Sequence, residues 1–225
     1  MSNFYYVPPE QIMKDRAEFA QKGIARGRSI VAAIYDQGVV LVAENPSASL
    51  YKISELYDRL AFAGVGKYNE FDRLREAGIR WADMTGFTYS REDVEARALA
   101  NYYAQHLGDT FSNGYKPLEV EVLVAQLGNE THPTKLYRIG YDGTIADEER
   151  FAVLGGDAES IRARFHQLST DIATLSLTLQ RAISALAGTA RSIATGDLEV
   201  AILEERGVRR TFRRLSEADV DSHRQ

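Results

Sequence analysis

The chain has 225 residues, 44% hydrophobic and 26% charged, with a net charge of −5. That profile fits one soluble globular domain whose core needs no covalent staple. The acidic balance disfavours nucleic-acid binding through bulk charge, and the lack of cysteine excludes disulfides, thiolate nucleophiles and zinc–thiolate sites.

The first residues, with Phe4, Tyr5, Tyr6 and Val7 ahead of Pro8-Pro9, have neither the basic nor the apolar region of a signal peptide. No apolar run is long enough to cross a bilayer, so the expected location is cytoplasmic. Pro8-Pro9-Glu10 signals a helix start. Met13, Ala17, Ala20 and Ile24 fall on one face of that helix, which Gly27 stops. Residues 29–35 and 39–43 are β-rich, and Asp36-Gln37-Gly38 between them reads as a hairpin loop. Short strands are expected around Tyr51-Lys52-Ile53 and over residues 60–65. A helix then carries Tyr68, Phe71, Leu74, Ala77 and Trp81.

Ser90 with Asp93 resembles a capping box for a second helix, with Val94, Ala98, Tyr102 and Leu107 facing inward. Period two returns at Val120, Val122 and Val124. Residues 136–141 form a strand, Asp142-Gly143 a tight turn, and a further strand ends over residues 151–154. Helices fit residues 157–168 and 171–186. A late strand over 198–203 pairs with 211–215, and residues 216–225 read as a frayed polar tail. Helices thus come in pairs between antiparallel hairpins. That order predicts an α+β fold with two antiparallel sheets face to face and helix pairs outside, a four-layer αββα sandwich.

Familiar catalytic signatures are missing. Gly64-Val65-Gly66-Lys67 lacks the upstream glycine and the hydroxyl of a phosphate-binding loop. His106, His132, His166 and His223 lack metal-ligand spacing, so neither a metal nor a cofactor is expected. The basic cluster Arg206, Arg209, Arg210, Arg213 and Arg214 reads as a strand face or a subunit contact.

Four collinear blocks carry a specific resemblance. They are Lys22-Gly23-Ile24-Ala25-Arg26, Val42-Ala43-Glu44-Asn45-Pro46-Ser47, Lys52-Ile53-Ser54-Glu55-Leu56-Tyr57-Asp58-Arg59 and Gly66-Lys67-Tyr68-Asn69-Glu70-Phe71. Tyr137-Arg138-Ile139, Tyr141-Asp142-Gly143 and Asp147-Glu148 extend it. Over the whole chain the sequence resembles actinobacterial 20S proteasome α subunits. The resemblance implies the amino-terminal-nucleophile hydrolase fold over residues 1–225, with a gate tail over 1–8 and an α-type helix over 9–26.

Catalytic relatives expose a threonine at the start of the first strand, its own α-amine acting as base. Here that strand begins at Arg28-Ser29, behind a helix, and the earliest threonine is Thr85. The resemblance therefore implies a non-catalytic subunit without catalytic residues. The alternative is a hydrolase self-processed to Ser29. Lys52 alone would read as an exposed lysine. By resemblance it docks the terminal carboxylate of a ring-shaped AAA ATPase activator, with Glu18, Gly66 and Lys67 around it. Phe4, Tyr5, Tyr6, Val7 and Pro8 would form a gate at the axis of a seven-membered ring. Expected partners are further α copies, a β subunit and, indirectly, proteins tagged with prokaryotic ubiquitin-like protein. No nucleic acid and no membrane are expected.

Overall fold

Several strands here are apolar at every position, and a strand of that kind has to be covered on both faces. In the computed structural model, which describes residues 8–130, 132–168, 171–205, 207–208 and 210–224, two sheets and two helix layers do this. The elements are α1 (Pro9–Ala25), β1 (Ile30–Tyr35), β2 (Gly38–Glu44), β3 (Ile53–Tyr57), β4 (Leu60–Gly66), α2 (Tyr68–Thr88), α3 (Ala96–Asn113), β5 (Val120–Gln126), β6 (Lys135–Ile139), β7 (Ile145–Glu148) and β8 (Phe151–Leu154). They continue with α4 (Ala158–Leu168), α5 (Leu175–Ala187), β9 (Leu198–Glu204), β10 (Phe212–Arg214) and α6 (Glu217–Arg224).

Both sheets are antiparallel, in the orders β10-β9-β2-β1-β8 and β3-β4-β5-β6-β7. Successive side chains point to opposite faces, so one strand feeds two layers. In β2, Val39, Leu41 and Ala43 enter the layer between the sheets, while Val40 and Val42 meet α4 and α5. In β5, Leu123 and Ala125 face the other sheet, while Val120, Val122 and Val124 meet α2 and α3. The result is the αββα sandwich that the element order predicts. Ile24, near the end of α1, joins the layer between the sheets and closes one end of it.

Several local expectations are corrected. Met13 is 40% exposed, and α1 buries only Ala20, Gly23 and Ile24. Residues 45–52 form a loop rather than a strand, because Asn45 Nδ2 binds Leu50 O at 2.8 Å and Ser47 Oγ accepts from Leu50 N. β3 therefore starts only at Ile53. Ser90 caps a 3-10 turn, Arg91–Asp93, accepting from Glu92 N. The chain then extends through Val94 and Glu95, which resets the helical phase. As a result Leu99, Ala100, Tyr103 and Leu107 face inward, while Ala98 and Tyr102 point out. The Asp142-Gly143 turn leads into an extra strand, β7.

Two more corrections lie near the carboxyl end. α5 starts at Leu175, where Thr174 Oγ1 accepts from Leu177 N, and not at Asp171. The tail expected to fray forms α6 instead. Ser216 and Asp219 make a reciprocal capping box, Ser216 N to Asp219 Oδ2 at 3.0 Å and Asp219 N to Ser216 Oγ at 3.2 Å. Val220 is buried against α5. Gln180 Nε2 donates to His223 O at 2.9 Å, and Arg224 Nη2 to Ile193 O at 2.8 Å.

α2 meets α3 through a tight steric match. A Cβ on Gly78 would lie 1.8 Å from the Tyr103 hydroxyl, which is itself buried with no hydrogen-bond partner among the described residues. Burying an unpaired hydroxyl costs about 1–3 kcal/mol. Gly78→Ala should therefore lower stability by at least ~1 kcal/mol through overpacking. Tyr103→Phe should raise it, and the double variant should recover part of the glycine loss. Chemical denaturation of the four proteins measures this; a destabilised Tyr103→Phe would contradict it.

Candidate functional site

Members of the sequence blocks singled out above, Glu44, Lys52 and Gly66, meet where α1 turns into β1. Arg26 N and Gly27 N close the helix on Gly23 O and Ile24 O. The turn then lies directly on the end of β4. A Cβ at Gly27 would come within 2.7 Å of Val65 Cγ1 and 3.0 Å of Gly66 N. Gly66 has φ of +111°, and a Cβ there would sit 1.9 Å from Glu119 O. Only glycine meets both demands at Gly66.

Lys52 reaches this turn from the loop before β3. Its Nζ donates to Arg28 O at 2.8 Å and to Glu44 O at 3.0 Å. An ammonium has three N–H donors, so two are committed to main-chain carbonyls. Burial pushes Lys52 down to about 8, while Glu199 and Glu44 pull it upward. Glu44 is gripped by Arg191 through two bonds of 2.7 Å and by Arg28. The Arg191 pairing outweighs burial and holds the Glu44 carboxyl below the usual range.

Glu199, on β9, is the residue that sequence reasoning missed. It is buried and accepts four hydrogen bonds. Lys52 N reaches Oε2 at 2.8 Å, Ile53 N reaches Oε1 at 3.0 Å, Asn45 Nδ2 reaches Oε2 at 2.7 Å, and Arg214 Nη1 reaches Oε1. Arg214 Nη2 also binds Ile53 O at 2.7 Å. One carboxylate thus pins the backbone on which Lys52 stands. A charged residue at an otherwise apolar strand position was the available signal.

Lys67 and Glu18 have partners of their own. Lys67 Nζ lies 3.5 Å from Glu70 Oε1 and 4.0 Å from Glu119 Oε1. Lys116 Nζ bonds the same Glu70 oxygen at 2.7 Å. Burial raises Glu70, but the Lys116 hydrogen bond, the Glu119 N–H and Lys67 outweigh it and hold the carboxyl low. Glu18 is exposed on α1, 3.9 Å from Lys22. Gly66 and Lys52 flank the same turn, and Lys67 follows directly, while Glu18 projects from the preceding helix.

The sequence that builds this turn matches a known family. Residues 24–203 match the family described as Proteasome subunit. "Proteasome subunit alpha" of Acidimicrobium ferrooxidans is 57% identical over 220 residues, covering 98% of this chain and 95% of that protein. The namesake from Sanguibacter keddieii is 52% identical, covering 96% and 87%. That from Mycolicibacterium smegmatis is 50% identical, covering 99% and 93%. The chain belongs to the proteasome α-subunit family.

In this proteasome α subunit Ser29 is 8% exposed at the foot of β1, continuous with α1. Pro8 precedes α1 and accepts from Gln11 N and Ile12 N through its carbonyl. Phe4, Tyr5, Tyr6 and Val7 lie outside the described residues, as do Arg206 and Arg209 of the basic cluster. Arg210 pairs with Glu55, so part of that cluster forms intramolecular ion pairs. No group of three or more potential ligands is arranged for a metal among the described residues, and no helix there is long and apolar enough to cross a membrane.

Lys52 also sets a pH dependence. Its folded pKa lies below the unfolded lysine value, about 10.4. The unfolded chain therefore binds the extra proton between about pH 8 and 10, and the penalty for burying this group falls as pH rises through that window. Acylation of Lys52, which needs the neutral amine, should show a midpoint near 8 by peptide mass spectrometry. Glu199→Gln removes a charge that raises Lys52 and should shift that midpoint downward. An unmoved midpoint would detach Glu199 from Lys52.

Proposed function

We propose that this proteasome α subunit is the non-catalytic outer-ring component of a cytoplasmic 20S particle, gating admission of substrate and docking an activator ATPase. Seven copies close a ring through one repeated heterologous interface. Two such rings cap β rings that do the cleavage. The activator delivers unfolded proteins marked by prokaryotic ubiquitin-like protein, and residues 1–7 form the axial gate together with Pro8. The observation that carries the docking role is the Lys52 ammonium at the α1–β1 turn, with two N–H groups used and one left for an incoming carboxylate. The non-catalytic role is supported by Ser29, which is buried at the foot of β1 behind an unbroken 17-residue helix.

A charge-assisted bond of this kind contributes about 1.5–3 kcal/mol. Lys52→Ala should therefore weaken activator-stimulated protein degradation by about tenfold or more, while unstimulated cleavage of small peptides by the assembled particle stays the same. Unchanged stimulation would remove Lys52 from docking. Deleting residues 2–7 should speed peptide cleavage by the assembled particle, and no acceleration would count against the gate. Intact mass separates the rival enzyme: a chain beginning at Ser29, with peptide hydrolysis by the purified subunit alone, would replace this reading.

A further inference from the structure

A second charged site lies beside the same turn. A cavity of about 170 Å³ is lined by the α1–β1 turn, by the start of α4 and by the end of α5. Four arginines line it, Arg26, Arg28, Arg164 and Arg191, and the guanidinium groups of Arg28 and Arg191 both bond the lining carboxylate of Glu44. Two carboxylates share it, Glu44 and Asp157, which leaves an excess of two positive charges. This is a local reversal in a chain of net charge −5.

The donors are only partly used. Each guanidinium offers five N–H groups. Arg191 spends its two terminal nitrogens on Glu44, and Arg28 shares that same carboxylate. One negative group therefore serves two cations. Arg164 binds Ala185 O through Nε at 2.8 Å, and its terminal nitrogens make no bond among the described residues. The Arg26 side chain makes no hydrogen bond or ion pair among the described residues. Four cations around two carboxylates are only half neutralised, and a bound anion would balance the remaining charge.

Size and shape narrow the ligand. The volume lies well below the roughly 300 Å³ at which drug-sized pockets begin, so the cleft suits a small inserted group. Several forked donors around one small volume suit a tetrahedral oxyanion with many acceptor oxygens. We infer that the cavity between Arg26, Arg28, Arg164 and Arg191 is a phosphate-binding site, occupied by free phosphate or by a phosphate monoester on a partner. The site stands on its own geometry and does not rest on the docking role of Lys52.

The test uses the full chain assembled with its β partner. Inorganic phosphate and phosphoserine are each titrated calorimetrically against chloride of matched ionic strength. The expected result is saturable binding, one site per α chain. Arg26→Gln and Arg164→Gln should each weaken it, and the double variant should lose at least about tenfold; Arg80→Gln, exposed on α2 and outside the cavity, should change nothing. Arg26 is exposed and makes no side-chain bond among the described residues, so its variant keeps the test decisive if Arg164→Gln fails to assemble. Binding of phosphate alone assigns the site to the free ion, and binding of phosphoserine assigns it to a modified partner. No saturable binding of either, or equal affinity in Arg26→Gln, overturns the site.

Discussion

Burying both faces of every central strand is the constraint from which the rest of this structure follows. β1, β2, β4, β5 and β9 place apolar side chains above and below the sheet, so neither sheet survives without a partner sheet on one side and helices on the other. Such an interior has no room for unpaired charge. Polar groups are displaced to the strand ends and loops, and the chemistry of the molecule collects there. Glu44 and Glu199 stand at the ends of β2 and β9, which are paired strands, and each meets several donors.

The two sheets are also tied at one end by charge. Arg138 on β6 bridges Glu121 and Glu148, Glu148 reaches Arg162 on α4, and the second Glu121 oxygen accepts from Gly155 N at 3.0 Å. This chain crosses from the second sheet to the segment after β8 of the first. Burial raises Glu148, but its two arginines outweigh that and keep it ionised. Each carboxylate is compensated within its own cluster, so sandwich and site are stabilised by the same chemistry.

Much of the fold was legible because its signals are local. Period-two patterns at Val120, Val122 and Val124 and the Asp36-Gln37-Gly38 loop need no tertiary information. The helix pairs between hairpins were enough to name the layers. What escaped was set by contacts distant in sequence. The resetting of α3 follows from an extended break at Val94–Glu95 that propensity does not signal. α6 looked like a solvated tail because its stability comes from a capping box and from docking on α5, not from an apolar stripe. At the site, Gly66 and Lys52 were readable as motif residues. Glu199 was not, because its role appears only when β9 is laid beside the start of β3, 146 residues away in sequence.

The remaining donor on Lys52 carries a quantitative consequence. With two N–H groups held by Arg28 O and Glu44 O, a carboxylate docked as proposed gains a single point of attachment. One such contact cannot hold a large partner against the entropy lost on association. Useful residence must come from avidity: several tails anchored to one body, each rebinding at high effective concentration after another lets go. In the proposed docking role, a lysine tethered on two sides thus favours a partner that arrives with many ends over one that arrives with a single end.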